Sequence, residues 1–186
     1  MARIARPAEK STNASNKPRT SPGDKGTAGA STLEGKPAPE FTLPNQNEIP
    51  VSLSGLRQHG EIVLYFYPKD MTPGCTNEAC GFRDKLDLLR AAGAQIVGVS
   101  SDSPGSHRKF IEKYGLTFQL LSDPDNEVGK AYRVYKRKSI YGREFMGVER
   151  TTFIIGRNGT VRRVFSKVKV NGHADEVLAA LAGSQS

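Results

Sequence analysis

The order of apolar segments predicts an α/β domain: a central mixed, mostly parallel sheet with helices on both faces. Three observations carry that expectation. Continuous β-favouring runs, as strands buried on both faces read, alternate with segments whose apolar residues recur at helical spacing. Near the C-terminus two such runs flank Arg157-Asn158-Gly159, and Asn-Gly between strands signals a hairpin. The chain of 186 residues is long enough for one domain with a real core and a tail.

The elements follow in order. Phe41-Thr42-Leu43 and Val51-Ser52-Leu53 alternate and are short, as extra N-terminal edge strands or a lead-in turn would be. Ile62 to Tyr67 is a continuous apolar run ended by Pro68, a strand buried on both faces. Phe82, Leu86 and Leu89 then mark a helix stopped by Gly93, and Ile96 to Val99 is a second buried strand. Ser106 to Tyr114 is a helix closed by Gly115, and Phe118 to Leu121 a third strand. Asp125 is placed to cap a short helix carrying Val128, Ala131 and Tyr132. Thr151 to Ile155 and Thr160 to Phe165 form the hairpin, adding an antiparallel edge, and Ala174 to Leu181 is the last helix.

Residues 1–34 are rich in Ser, Thr, Asn, Gly, Pro, Lys and Ala, with Met1, Ile4 and Leu33 their only large apolar residues. Such a stretch buries too little surface to offset its ordering entropy, so it is expected to be a disordered basic tail before a domain spanning 35–186. A transit peptide is the competing reading, opposed by three acidic residues and the lack of an amphipathic stripe.

No segment approaches the ~18 consecutive apolar residues that span a bilayer, and no apolar secretory region opens the chain. The expectation is a cytoplasmic protein, with an organelle or the nucleus as the alternative through the basic tail. The two cysteines are then better read as thiols with chemistry than as a persistent disulfide. The net charge of +8 raises nucleic acid as a partner, but Lys136-Arg137-Lys138, the densest basic run, lacks aromatic interleaving or a groove-binding motif. It reads as solvated loop charge, with no specific nucleic-acid binding implied.

The loop after the first buried strand runs from Pro68 through Thr72, Pro73 and Gly74 to Cys75. Active sites of open α/β sheets lie at the carboxyl ends of strands, where this loop falls. Cys75 begins the following helix, where free amides and the macrodipole favour thiolate over thiol. Pro73 and Gly74 let the backbone approach a ligand closely, and the Thr72 hydroxyl is placed to donate to sulfur or to a bound oxygen. Residue types also allow Cys75 to be a small buried hydrophobe. Cys80, five residues on, lies at a helical offset of ~7.5 Å and ~140°, so the Cα atoms are ~8–9 Å apart. A disulfide needs ~7 Å or less, so the two thiols bond only if the helix unwinds. Cys80 as a plain helix residue stays equally open. A zinc site would need two more ligands, and His59, His107 and His173 show no ligand-like spacing with the cysteines; no cofactor or metal is called for.

The pattern Pro68-x-x-x-Thr72-x-x-Cys75 resembles the signature of the peroxiredoxins, and Pro68-Lys69-Asp70 through Cys75 and Cys80 resembles their bacterioferritin-comigratory-protein, or PrxQ, subgroup. Pro37-Ala38-Pro39-Glu40-Phe41 looks like the family's opening and Arg150 to Ile155 like its arginine-bearing strand, so the likeness runs from about Gly35 to Leu181. The resemblance implies a thioredoxin-like fold and a thiol peroxidase. Cys75 is implied as the peroxidatic cysteine, oxidised by a hydroperoxide to sulfenic acid. Thr72 and Arg150 are implied to hold the peroxide oxygens, with Arg150 favouring the thiolate, and Pro68 to shield the sulfenate. Cys80 is implied as the resolving cysteine, its intramolecular disulfide with Cys75 reduced by thioredoxin or a similar dithiol. Met71 replaces an acidic residue common in the subgroup, and Asn77 stands where threonine is frequent. The lack of a cysteine-bearing C-terminal extension leads to the expectation of a monomer or weak dimer. From residues alone Arg150 reads as surface charge. Two other readings remain: a disulfide reductase, opposed by the missing C-x-x-C, and a nucleic-acid-associated or holdase-like protein using the tail.

Overall fold

The computed structural model describes residues 29–183; the expected tail lies outside the described residues up to position 28. A five-stranded sheet in the order β5-β4-β3-β8-β9 organises the domain. Its strands are β3 (Glu61–Phe66), β4 (Ala94–Ser100), β5 (Gln119–Ser122), β8 (Thr151–Ile155) and β9 (Val161–Ser166). β3 pairs parallel with β4 and β4 with β5, while β8 runs antiparallel to β3 and to β9. Four strands thus share one direction and β8 alone is reversed, so the sheet is mixed and mostly parallel as expected.

Both faces of β3 are covered. Ile62, Leu64 and Phe66 enter one core with Leu53, Leu56, Tyr132 and Phe153. Val63, Tyr65 and Tyr67 enter the other with Phe82, Leu89, Phe110 and Val177. The second core lies under the longer helices: α2 (Pro73–Asp84), α3 (Leu86–Ala91), α4 (Pro104–Tyr114) and α6 (His173–Ala182). The first is closed by the short α1 (Leu53–Leu56) and α5 (Glu127–Ala131) and by the N-terminal segment. This is why the β3 run shows no alternation: neither face meets water.

Several expectations change in detail. The boundary at 34/35 falls inside packed structure, because a 3-10 helix Ala30–Leu33 buries both end residues in the first core. The Gly35 amide donates to Val161 O at 2.8 Å, tying this segment to β9. The short runs β1 (Thr42–Pro44) and β2 (Pro50–Ser52) pair with each other in a separate two-stranded sheet. The helix containing Phe82, Leu86 and Leu89 is broken at Lys85 into α2 and α3. Asp125 does not cap α5: Asn126 precedes it in the left-handed region, and Asp123 Oδ2 accepts from the Gly129 amide at 2.9 Å. Gly115 ends α4 at φ +59, as its position suggested.

The largest difference concerns Lys136-Arg137-Lys138. They are not loop but part of β6 (Tyr135–Ile140), paired antiparallel with β7 (Arg143–Val148) in a two-stranded ribbon. Tyr141 and Gly142 turn the ribbon at φ 49 and 75, the positive pair of a type I′ turn. The ribbon packs little of its length, so neither strand carries the apolar pattern that betrays the others. No helix among the described residues is long and apolar enough to cross a membrane.

Candidate active site

The site forms where β3 and β8 meet at one end of the sheet. Register pairs Phe66 with Thr151, so Arg150, just before β8, stands beside the loop that leaves β3. That loop feeds α2, whose first residues are Pro73, Gly74 and Cys75, with Thr72 as the extended N-cap. Proline suits the first helical position because it lacks the amide that would go unpaired there.

Cys75 is 1% exposed, and Arg150 Nη2 donates to its sulfur at 3.3 Å. Gly74 makes room for this approach: a Cβ there would lie 3.2 Å from Arg150 Nη2. Glu78, one turn along the same face of α2, accepts from Arg150 Nη1 and fixes the guanidinium plane. Its other oxygen, Oε1, is buried without a hydrogen-bond partner among the described residues. Burial pushes the Glu78 carboxyl up to about 7, against the pull of Arg150. Arg150 is also shifted upward, by a different balance: burial opposes its charge, but Glu78 and Cys75 outweigh burial and raise its pKa. The carboxyl feels burial more because its side chain is 1% exposed and that of arginine 16%.

The remaining residues divide. Thr72 stands at the helix start, but its hydroxyl donates to Lys69 O at 3.0 Å rather than to Cys75, leaving the oxygen lone pairs to accept. Pro68 is exposed on the loop. Cys80 is partly exposed and free, on the same unbroken helix. The inward stripe of α2 is Cys75, Glu78, Ala79 and Phe82, so the two sulfurs lie on different faces.

Glu78 escaped the sequence reading although its i+3 spacing from Cys75 put both on one helix face. Lys138, read as solvated charge, donates from β6 to Val148 O; burial lowers its pKa, and Cys75 is among the charges that act on it. Tyr65 lies beneath the site, its hydroxyl buried without a partner among the described residues. Burial, then the charges of Glu78, Asp70 and Cys75, hold it firmly in the phenol form.

The sequence profile of the AhpC/TSA family matches residues 35–164, well over half of the chain. The chain belongs to the AhpC/TSA family. Among its relatives within the family, the putative peroxiredoxin Bcp of Coxiella burnetii is 48% identical over 147 residues, covering 79% of this chain and 97% of that protein. Peroxiredoxin Bcp of Bacillus subtilis is 46% identical over 151 residues, 81% of this chain and 96% of the relative. In structure the chain resembles peroxiredoxin Q of Xanthomonas campestris, with a TM-score of 0.74 at 43% identity over 77% of this chain and 90% of that one. Peroxidoxin BcpB of Mycobacterium tuberculosis gives 0.75 at 38% identity over 83% and 99%. The fold is the thioredoxin-like one of these AhpC/TSA proteins, and the PrxQ-type resemblance carried by Pro68 to Cys80 agrees with the names of the relatives.

Proposed function

We propose that this AhpC/TSA-family protein is a thiol peroxidase working through Cys75, with Cys80 resolving the oxidised sulfur. The observation that carries the proposal is the 3.3 Å contact from Arg150 Nη2 to Cys75 Sγ at the start of α2. An arginine and a helix N-terminus converging on one buried sulfur suit an anionic nucleophile. They equally suit a displacement that leaves negative charge on oxygen.

In the first step the Cys75 thiolate attacks one peroxide oxygen. The S–O bond forms as the O–O bond breaks, giving Cys75 sulfenic acid and an alkoxide or hydroxide that takes up a proton. Arg150 and the first-turn amides of α2 stabilise the charge, and the Thr72 oxygen accepts a hydrogen bond from the peroxide. In the second step the Cys80 thiolate attacks the sulfenic sulfur; the S–S bond forms as the S–O bond breaks, and the leaving hydroxide takes up a proton and departs as water. Because α2 is continuous from Pro73 to Asp84, this step requires its first turns to unwind. A dithiol protein then reduces the disulfide by thiol exchange, and thioredoxin fits that role. Pro68 lies on the loop before Thr72, and its part is to limit solvent at the sulfenate. For the substrate, a bacterioferritin comigratory protein of Xanthomonas campestris with alkyl peroxide reduction activity shares the fold at a TM-score of 0.73 and 43% identity. Hydrogen peroxide and alkyl hydroperoxides are the substrates proposed here. The protein works in a reducing compartment such as the cytoplasm, as a monomer or weak dimer.

The test is mass analysis after one equivalent of peroxide. Wild type should lose two hydrogens through a Cys75–Cys80 bond, Cys80→Ser should accumulate sulfenate, and Cys75→Ser should consume no peroxide. An active Cys75→Ser variant would sink the mechanism, and normal turnover of Cys80→Ser with thioredoxin would remove Cys80 from it.

A further inference from the structure

Beside the site lies a buried polar cluster that the chemistry above does not use. Asp70, whose side chain is 2% exposed, accepts three hydrogen bonds. Tyr67 Oη donates to Oδ1 at 2.7 Å, and Ser106 Oγ and His107 Nδ1 donate to Oδ2 at 2.8 and 2.9 Å. The Asp70 amide donates to Asp102 Oδ2 at 2.8 Å, and that oxygen also accepts from Ser100 Oγ at 2.7 Å. His107 is fully buried on α4, and its Nε2 faces Leu121 O at 3.2 Å. Both ring nitrogens therefore face oxygen atoms. One residue of the loop is thus tied to β4, the start of α4 and the end of β5.

The next residue, Met71, has φ +59, in the left-handed region that costs a non-glycine residue on the order of 1 kcal/mol. Such a conformation persists where its flanks over-determine it. Asp70 fixes one flank. On the other, Thr72 is held by its hydroxyl bond to Lys69 O and by the Thr76 amide, which donates to Thr72 O at 2.8 Å.

We propose that Asp70 and His107 form a positioning pair that anchors the loop in front of α2, with Met71 as the strained joint, so that Thr72 keeps its place while the helix opens and re-forms. The catalytic meaning of this pair rests on the function proposed for Cys75. Unwinding frees Cys75 to reach Cys80, and without an anchor the disturbance would run back into the loop. The peroxide-binding position would then have to be rebuilt in each cycle. Four polar groups gathered on a single loop residue stop it at Asp70.

The experiment measures the rate of Cys75 oxidation by hydrogen peroxide, using rapid quench and mass analysis, with the melting temperature of each variant beside it. Asp70→Asn should oxidise at least tenfold more slowly than wild type. Adding Met71→Gly to it should recover most of that loss, because glycine takes the left-handed conformation without an anchor. A role confined to general stability would not respond to that second change. His107→Asn, which keeps a donor near the Nδ1 position, should lose less than His107→Leu. Met71→Val alters only an exposed side chain and keeps the test open if the Asp70 variants fail to fold; resisting positive φ, it should slow oxidation about tenfold. A folded Met71→Val variant with the wild-type rate overturns the inference, as does a folded Asp70→Asn variant within twofold of wild type or one that Met71→Gly leaves unrescued. If wild type itself forms no Cys75 sulfenate, the proposed function fails instead.

Discussion

The two stretches that meet at Thr72 are built for opposite tasks. Before it, the loop is held by polar bonds: Asp70 is buried among donors from Tyr67, Ser106 and His107. After it, α2 rests chiefly on an apolar stripe, with Cys75, Ala79 and Phe82 against the sheet, Glu78 paired with Arg150 and Arg83 donating to Tyr114 O. Buried hydrogen bonds to charge are lost all at once when geometry slips, whereas a helix resting on apolar contact opens turn by turn. On the function proposed above, the contrast teaches how one continuous segment holds a binding site still and yet delivers its cysteine elsewhere.

The comparison breaks most easily at the base of the helix. Phe82 is fully buried, with its ring centroid 5.0 Å from that of Tyr65 and 5.6 Å from that of His173. Phe82→Ala should cost about 3–5 kcal/mol by chemical denaturation, and it should raise amide exchange in α2 above that in the loop. Equal loosening of loop and helix would show that the two are one cooperative unit.

Glu78 gives a smaller, pH-dependent effect. Its carboxyl is pushed from 4.5 to about 7 by burial in the closed helix, so the native state holds a proton that the unfolded chain releases. The stability it contributes is therefore fully present below about 4.5 and is lost as pH rises through about 7. Glu78→Gln, which titrates no proton there, should gain on wild type by about 1–3 kcal/mol between pH 5 and pH 8, read as the difference of their unfolding free energies. Asp70 has the opposite sign. Burial alone would raise its pKa, but bonds from His107 and Tyr67 hold it below 3.8, so its contribution is present above that value and fades in acid. A flat difference between wild type and Glu78→Gln would mean that Arg150 keeps the carboxylate ionised throughout.

The smallest change tests opening alone. Asn77 is exposed on α2, and Asn77→Ala raises helix propensity by roughly 0.5 kcal/mol. Disulfide formation after sulfenate should slow about twofold while sulfenate formation stays the same. If the disulfide step is unchanged or faster, unwinding does not limit it.

Legibility in the sequence followed the range of the forces involved. Cys75 was visible because strand end, Pro-Gly and helix start are local signals. Glu78 was within reach of the same helical spacing. Arg150 looked like surface charge because what makes it otherwise is the register of β8 on β3, across 75 residues of chain. His107 gave no sign, since its partner Asp70 is 37 residues away. The β6–β7 ribbon was missed for a different reason: with little core to pack against, its strands needed no apolar alternation.

By itself, then, the sequence determined the order of the central strands and their main helices, the two covered faces of the sheet and a cysteine at a helix start. Those depend on period, turn chemistry and apolar runs, which are properties of neighbours in the chain. Only the tertiary structure decided that Arg150 and Glu78 converge on Cys75 and that Asp70 is anchored by His107. It also brought Ala30 and Leu33 into the core. Such contacts arise from strand register and layer packing, which sum many weak preferences over the whole chain and leave no mark at any one residue.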